Sequence, residues 1–157
     1  MHIRLARIED LPQIVLLGRS LLDMHKEYDN DYYQLEENFD ELFGNWVRGQ
    51  LNNLSQFIIV AQNPTDNKIS GFISGFVKPL FPWFKIKSVG HISYLVIDES
   101  YQKQSIGKLL EDAARNWFME KNIHFLELYV DEKNPIGQKA WSSYGFLPFK
   151  KFLRKKI

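Results

Sequence analysis

The hydrophobic pattern of the first third of the chain changes from alternating to helical spacing. Residues 2–7 alternate apolar and polar side chains, which predicts a strand with one buried face. Apolar positions then recur with near-helical period over residues 11–26, after acidic residues and a proline that suit a helix start. Residues 36–52 show a second helical stripe, so two helices are predicted to follow the first strand.

The rest of the chain alternates between strand and helix patterns. Two prolines in residues 79–84 predict a loop, whose aromatic side chains either cover a cleft or pack on a sheet edge. A further helix is predicted between residues 134 and 145. The other predicted elements are strands over residues 56–62, 69–78, 88–97 and 124–130, a helix over 105–121, and one or two strands within 146–157.

The stretch from Leu95 to Leu110 combines three features that together favour anion binding. A β-branched apolar run ends, a polar loop follows, and an amphipathic helix begins directly after it. The first amides of a helix lack intrahelical partners and carry partial positive charge. Gly107 lets the backbone approach a ligand closely because it has no Cβ. The order of these features predicts a phosphate-binding loop.

Composition narrows the class of protein. The 157 residues contain no cysteine, which excludes disulfides, thiolate metal sites and a cysteine nucleophile. The formal net charge of +1 implies no strong nucleic-acid or membrane field. No apolar run is long enough to span a membrane, and charged residues stand where a signal peptide needs an apolar stretch. We therefore expect residues 1–157 to form a single cytoplasmic domain with its own core.

Two motifs identify the phosphate loop more closely. The loop lacks the spaced glycines of the Walker and Rossmann patterns. Residues 102–107, Gln-Lys-Gln-Ser-Ile-Gly, resemble instead the acyl-CoA loop of the GCN5-related N-acetyltransferases (GNAT). Residues 134–146, from Asn134 to Phe146, resemble the second CoA-side motif of that family, in which an Asn opens a helix that closes on Gly-Phe. Both motifs stand in family order, and the resemblance covers essentially the whole chain.

The resemblance implies an α/β (α+β) fold. In the GNAT fold, a central, twisted, mixed and mostly antiparallel sheet of six to seven strands is flanked by about four helices. The resemblance also implies that the central strand 90–97 splays from the strand 125–130. Residues 1–157 would then form one N-acetyltransferase domain.

The resemblance further implies acetyl-CoA as cosubstrate and no metal. The backbone of Leu95 and Ile97 would pair with the pantetheine arm, and the amides of residues 102–108 would hold the diphosphate. Lys103 and Lys108 either add charge to this site or are ordinary solvated lysines. Asn134 either contacts the CoA arm or only caps its helix. The expected cofactor-binding residues are Leu95, Val96, Ile97, Gln102, Lys103, Gln104, Ser105, Ile106, Gly107, Lys108 and Asn134.

Ser105 departs from the family pattern, because glycine is usual at its position. The departure is tolerable if the φ angle of Ser105 is negative. A positive φ would count against the match, since L residues rarely adopt one.

Three residues are the candidates for catalysis. His91 stands where the family carries a catalytic Glu or His, and its even spacing from Ile97 predicts one shared strand face. It is the expected base, unless it only bonds to nearby backbone, and Glu127 is the second candidate. The family's usual acid, a Tyr, is replaced by Trp141, which cannot donate a proton at neutral pH. Either water protonates the leaving thiolate, or Tyr144, three residues later, or another Tyr takes this role. The alternative for Tyr144 is packing in the core.

The function implied is transfer of an acetyl group from acetyl-CoA to a primary amine in a ternary complex. The amide of Ile97 is the candidate donor to the oxyanion. The alternative is a non-catalytic acyl-CoA-binding sensor or interaction module on the same fold, which Trp141 favours. Binding of nucleic acid through the basic C-terminus is a third option, against which the low net charge argues.

The acceptor is only broadly defined by the sequence. Acidic residues are frequent in residues 23–41 and would attract a cationic small molecule or peptide amine, although a solvated acidic face also explains them. The basic residues of 150–156 either approach the CoA or an acidic partner, or protect an edge strand. The resemblance makes a homodimer reasonable, and we expect neither a nucleic-acid nor a membrane partner.

Overall fold

A five-stranded sheet with four helices forms the protein. The computed structural model describes residues 1–157. Two single 3-10 turns, Ile8–Asp10 and Glu99–Tyr101, precede α1 and α3. The elements in chain order are β1 (His2–Leu5), α1 (Leu11–His25), α2 (Phe39–Gln50), β2 (Gln56–Gln62), β3 (Ile69–Pro79), β4 (Ser88–Ile97), α3 (Ile106–Glu120), β5 (Leu126–Leu128) and α4 (Pro135–Ser143).

The sheet is mixed and mostly antiparallel, as predicted. Its strands follow the order β1-β2-β3-β4-β5, and only the β4–β5 pair is parallel. The middle strand is β3, so the prediction that residues 88–97 form the central strand is wrong. The parallel β4–β5 pair is joined through α3, as a parallel connection requires.

The predicted count of six to seven strands is too high. The strand expected over residues 124–130 is reduced to Leu126–Leu128, and residues 146–157 contain no strand. Apart from Phe146, the apolar side chains of this last segment are exposed, with Leu147 and Leu153 more than 80% exposed. This segment does not pair with the outer edge of β5, which has no neighbouring strand. It therefore forms no hydrogen-bonded ladder, although its composition resembles that of a strand.

Two hydrophobic cores lie on opposite faces of the sheet, because successive strand residues point to opposite sides. The core under α1 and α2 contains Ile14, Leu17, Phe39, Phe43, Val47, Ile58, Val60, Ile69, Phe72 and Val96. The core under α3 contains Phe57, Ile59, Ala61, Ile73, Ile92, Ile106, Leu110, Ala114, Phe118 and Ile123. None of the four helices is long and apolar enough to cross a bilayer.

The junction of β1 and α1 is held by a buried ion pair. Arg4 donates two hydrogen bonds to the Asp10 carboxylate, at 2.7 and 2.9 Å, and the backbone N–H of Arg7 donates a third at 2.8 Å. The side chains of Arg4 and Asp10 are only 12% and 8% exposed. Burial acts to raise the pKa of Asp10, but these hydrogen bonds outweigh it and lower the pKa below its usual value.

The loop between β3 and β4 does not pack on the sheet edge. Phe81 and Trp83 stack on each other with their centroids 4.7 Å apart, and both rings are more than half exposed. The backbone N–H of Leu80 donates to the carbonyl of Lys87 and closes the loop. Of the two predicted arrangements for these aromatics, packing on the edge is therefore wrong.

Candidate active site

β4 and β5 part after three paired residues. Gly90–Ile92 of β4 pairs with Leu126–Leu128 of β5, and the rest of β4 has only β3 as its neighbour. The predicted splay between these strands is therefore confirmed. A gap opens beside the second half of β4, in which backbone groups have no strand to bond.

The backbone of Leu95 and Ile97 faces this gap. The N–H of Asp98 donates to the carbonyl of Ser70 on β3 at 2.9 Å. Backbone groups alternate between the two sides of a strand, so Val96 also bonds toward β3, whereas Leu95 and Ile97 point away from it. The side chain of Val96 is buried in the core under α1 and α2. Leu95 and Ile97 thus present unpaired N–H and C=O groups to the gap.

Five consecutive amides in the loop after β4 have no acceptor in the protein. They are the backbone N–H groups of residues 103–107. The amides of Gln102 and Lys108, predicted to join them, instead donate to the carbonyls of Glu99 and Ser105. Five free donors at the N-terminus of α3 form a site of positive partial charge for an anion.

The loop adopts left-handed conformations at two residues. Lys103 and Ser105 have φ angles of 62° and 60°. Ser105 thus has the positive φ that counts against the match at this position, and it takes the conformation that glycine adopts without strain. Left-handed residues next to right-handed ones turn successive N–H groups toward a common point, which is the geometry of anion nests. The serine therefore keeps a glycine-like loop shape at a conformational cost.

The side chains of the loop contribute unequally. The ammonium of Lys108 donates to the carboxylates of Asp112 at 2.5 Å and Glu111 at 3.0 Å, and these hydrogen bonds raise its pKa. Lys103 and Gln104 are exposed, whereas the side chain of Ile106 lies in the core under α3. Lys103 is thus the loop lysine whose charge is available to a ligand.

Tyr144 reaches the first turn of α3. A Cβ added to Gly107 would lie 2.7 Å from the Tyr144 hydroxyl oxygen, so the hydroxyl fills the space that a side chain would need. Burial, reinforced by the negative charge of Glu111, raises the pKa of Tyr144, and the phenol is therefore protonated at neutral pH. Trp141 packs edge-on against the Tyr144 ring with centroids 5.7 Å apart.

Asn134 caps α4. Its side-chain oxygen accepts a hydrogen bond from the backbone N–H of Gly137 at 2.8 Å. The capping role that the sequence offered as one of two alternatives is therefore present. Contact with a CoA arm stays a prediction.

A β-bulge decides where His91 points. Ser74 of β3 opposes Tyr94, whereas the next residue, Gly75, opposes Ile92, so Ser93 is an extra residue in β4. One extra residue reverses the alternation of side chains. Consistent with this, Ile92 and Ile97 contact the same α3-side core although their numbers differ in parity. His91 therefore points to the α1–α2 face, and the prediction that it shares a face with Ile97 is wrong.

His91 sits between two aromatic rings on that face. Its ring centroid is 5.0 Å from that of Phe76 and 5.3 Å from that of Tyr129, and the residue is 9% exposed. Its Nδ1 is buried without a hydrogen-bond partner, so the alternative of a histidine bonded to backbone fails for this nitrogen. Burial, and then the charge of Lys78, lower the pKa of His91, while Glu127 acts in the opposite direction. The imidazole is neutral at neutral pH.

Glu127 lies beside His91 but is already paired. The two residues are in register across β4 and β5. Lys78 of β3 donates to the Glu127 carboxylate at 3.1 Å, over the strand that carries His91. Glu127 is therefore poorly placed to act as a free base, and its ion pair flanks the histidine.

Lys78 and Ser74 are two residues of this region that sequence reasoning did not select. The hydroxyl of Ser74 is buried without a partner on the same face as His91. A signal exists, since a serine between Phe72 and Phe76 occupies an inward position of an alternating strand. The ion pair of Lys78 leaves no such trace, because its partner is 49 residues away.

Known structures share this fold over its full length. A tetramutant of the BH1408 protein from Bacillus halodurans matches with a TM-score of 0.89, at 20% identity and with 100% of each chain covered. An aminoglycoside 6'-N-acetyltransferase from Acinetobacter haemolyticus matches with a TM-score of 0.77, at 14% identity, covering 100% of this chain and 99% of its own. At these identities the likeness establishes the fold alone.

A third structure was solved with a ligand. It is a predicted acetyltransferase with acetyl-CoA from Clostridium acetobutylicum, with a TM-score of 0.77 at 20% identity, covering 99% of this chain and 95% of its own. A comparison with the curated proteins finds no matching sequence. The family model described as "Acetyltransferase (GNAT) family" matches residues 19–146, most of the chain. The splayed strands, the free amides and this match agree: the chain belongs to the GNAT family of acetyltransferases.

Proposed function

We propose that this protein transfers an acetyl group from acetyl-CoA to a primary amine of a cationic small molecule, within a ternary complex. The observation that carries the proposal is the row of five free amides over residues 103–107, directly after a strand whose second half lacks a partner. A diphosphate and an amide-containing arm require these two features side by side. We propose that residues 1–157 act as one N-acetyltransferase domain.

The chain's own backbone would hold the cosubstrate. The amides of residues 103–107 would bind the diphosphate, and Lys103 would add charge beside it. Leu95 and Ile97 would pair with the two amides of the pantetheine arm in the manner of an added strand. Acetyl-CoA supplies the activated acetyl thioester. The N–H of Ile97, which points into the gap, would donate to the oxyanion that forms during transfer.

His91 is the proposed base. An alkylammonium group has a pKa of about 10.4 and must lose a proton before its nitrogen can attack. The His91 imidazole is neutral at neutral pH and has an unpartnered nitrogen, so it can accept that proton directly or through water. The Lys78–Glu127 pair flanks it and adds no second free base.

Tyr144 is the proposed acid, with water as the alternative. Its phenol carries a proton at neutral pH and lies at the start of α3, next to the row of free amides. Trp141, in the position usual for the family's tyrosine, donates hydrogen bonds but no proton. If water protonates the leaving thiolate, Tyr144 acts by shaping the first turn of α3.

The acceptor class is inferred from charge. The Acinetobacter relative acts on an aminoglycoside, a polycationic amine. Acidic residues surround the α1–α2 connection of this chain, which would attract a similar cation. The second candidate function, an acyl-CoA-binding module without catalysis, is favoured by one observation, the absence of the usual tyrosine at position 141.

A thiol-release assay with acetyl-CoA tests the proposal. The acceptors are polyamines, aminoglycosides, arylalkylamines and lysine peptides. His91→Ala is compared with His124→Ala, a matched control whose residue is exposed and whose ring hydrogen-bonds to Asn122. We expect kcat/KM to fall about 10²- to 10⁴-fold in His91→Ala and to stay unchanged in the control.

Each other outcome has a definite meaning. Unchanged turnover in His91→Ala would keep the enzyme and reject His91 as the base. Acetyl-CoA binding without thiol release on any amine would favour the binding module. No binding of acetyl-CoA would overturn the proposed cosubstrate.

A further inference from the structure

The acidic loop, defined as residues 28–33 between α1 and α2, is in contact with the chain's own basic C-terminal segment, residues 146–157. Arg154 donates to the Asp29 carboxylate at 2.7 Å, and its guanidinium carbon lies 5.1 Å from the centre of the Tyr32 ring. Lys156 lies 3.5 Å from the Asp31 carboxylate. Two of the carboxylates expected to attract an acceptor, those of Asp29 and Asp31, are thus already paired with cations of the same chain.

The same segment reaches the neighbourhood of the proposed base. The Phe152 ring contacts the Tyr129 ring, with centroids 5.8 Å apart. Tyr129 in turn packs on His91, which is nine-tenths buried and has an unpartnered Nδ1. Two residues after Phe152, Arg154 is seated on the acidic loop. The segment therefore extends from the Tyr129 ring, which packs on His91, to the carboxylates of Asp29 and Asp31.

The acidic loop is also hydrogen-bonded to the connection between β5 and α4. Tyr33 of the acidic loop donates to the Asp131 carboxylate at 3.2 Å, and Lys133 donates to the backbone carbonyl of Tyr28 at 2.6 Å. Burial, and then the hydrogen bond to Asp131, raise the pKa of Tyr33 to about 12. The acidic loop is therefore held against the connection between β5 and α4, the connection that carries Tyr129.

A carboxylate beside an aromatic face is the chemistry that recognises a guanidinium or an ammonium group. We propose that Asp29 and Tyr32 form a cation subsite of the acceptor cleft, and that Arg154 occupies it in the free protein as an internal competitor. The acceptor class is then an amine with a second positive charge, which displaces Arg154 when it binds. This inference rests on the proposed function.

The contact has the strength that a displaceable competitor needs. The side chains of Arg154 and Asp29 are 45% and 40% exposed, and exposed ion pairs are weak. The C-terminal segment has no regular secondary structure, so no ladder of hydrogen bonds opposes its release. A dication that contacts both Asp29 and Tyr32 can therefore replace it.

Steady-state kinetics with spermidine as acceptor provide the first test. Arg154→Ala removes the competitor. Lys155→Ala is the matched control, because it also removes one positive charge, but from a residue that forms no ion pair. We expect KM for spermidine to fall about two- to fivefold in Arg154→Ala, with kcat and KM for acetyl-CoA unchanged. Asp29→Asn should raise KM for spermidine. Equal KM values in Arg154→Ala and Lys155→Ala would overturn the proposal.

A binding readout separates this inference from the proposed function. The protein carries 4-fluorophenylalanine at position 152, and its fluorine resonance reports the contact with Tyr129. We expect spermidine to move the resonance toward its position in Arg154→Ala, whereas sodium chloride of equal ionic strength does not. A fluorine resonance that does not shift when spermidine is added would overturn the proposal that Arg154 is a competitor. A resonance that moves while no amine is acetylated supports the competitor and rejects the acetyl transfer.

Discussion

At the residue scale, the site depends on three residues whose position, backbone conformation or charge is set by their neighbours. The Tyr144 hydroxyl lies where a Cβ of Gly107 would stand, and Ser105 takes a left-handed conformation. His91 is neutral because rings surround it and water does not. Each of these properties is set by neighbouring residues. Substituting the residue itself or its neighbour therefore tests it.

Gly107→Ala should destabilise the protein by about 1–3 kcal/mol, the cost of overpacking. The new methyl group would stand 2.7 Å from the Tyr144 hydroxyl. Tyr144→Phe removes that oxygen, so the double variant should recover most of the loss. Urea unfolding of the four proteins gives the coupling free energy. Additive effects, with no recovery in the double variant, would contradict the contact.

His91 should make the protein less stable as the pH falls. Its pKa in the folded state is lowered by burial, so the unfolded state, with a pKa of about 6.5, binds the proton more readily. The stability contribution is complete above pH 6.5 and is lost as the pH falls through the folded pKa. The free energy of unfolding, measured from pH 7.5 to 5, should fall less steeply in His91→Gln than in the parent. Identical slopes would show that burial does not shift this pKa.

At the scale of elements, two junctions place the chemistry. The bulge at Ser93 turns His91 to the α1–α2 face while Leu95 and Ile97 keep their backbone toward the gap. An added Cβ at Gly75 would lie 2.6 Å from the His91 carbonyl oxygen, so the bulge also depends on close strand approach. The Arg4–Asp10 pair joins β1 to α1 at the other end of the sheet.

Asp10→Asn should cost about 3 kcal/mol, because it leaves the buried Arg4 charge without its carboxylate. Asp40→Asn is the matched control, since its pair with Arg19 is exposed and worth less than about 1 kcal/mol. Chemical denaturation at pH 7 compares them. The parent should also lose stability as the pH falls below about 3.8, because the folded pKa of Asp10 lies beneath that value. Equal costs for the two variants would mean that the ion pair contributes no more than a surface pair.

At the scale of the molecule, the sheet separates two cores and leaves the loop between β3 and β4 in solvent. Helix α3 both carries the free amides and supplies one wall of a core. The anion site therefore directly precedes a helix whose inner face is buried in that core.

Phe118→Ala should cost about 3–5 kcal/mol, since the ring is fully buried under α3. Phe81→Ala makes the same chemical change at a ring that is 60% exposed, and its effect should stay within about 0.5 kcal/mol. Thermal and urea unfolding report both. A large cost for Phe81→Ala would indicate that the loop between β3 and β4 is packed in solution.

Local patterns in the sequence were sufficient for most elements. The bounds of β2 and β4 agree with the prediction, and α1, α3 and β3 agree within about a residue, because periodicity and turn residues act over short range. The position of the loop with the free amides was predicted for the same reason, since a strand, a loop and a helix start are contiguous. The sequence did not predict that β5 is so short or that residues 146–157 form no strand. A strand exists only where a neighbouring strand pairs with it, and local patterns do not reveal that pairing.

The sequence by itself determined the order of elements, the absence of cysteine chemistry and the place of the anion site. Only the tertiary structure decided the face of His91, because one bulge reverses the alternation of side chains between the residues before it and those after it. It also decided that Lys78 pairs with Glu127 and Arg154 with Asp29, contacts between residues 49 and 125 positions apart. Periodicity describes neighbours along the chain, whereas charge pairs, ring contacts and the surroundings that shift a pKa arise only when distant segments meet.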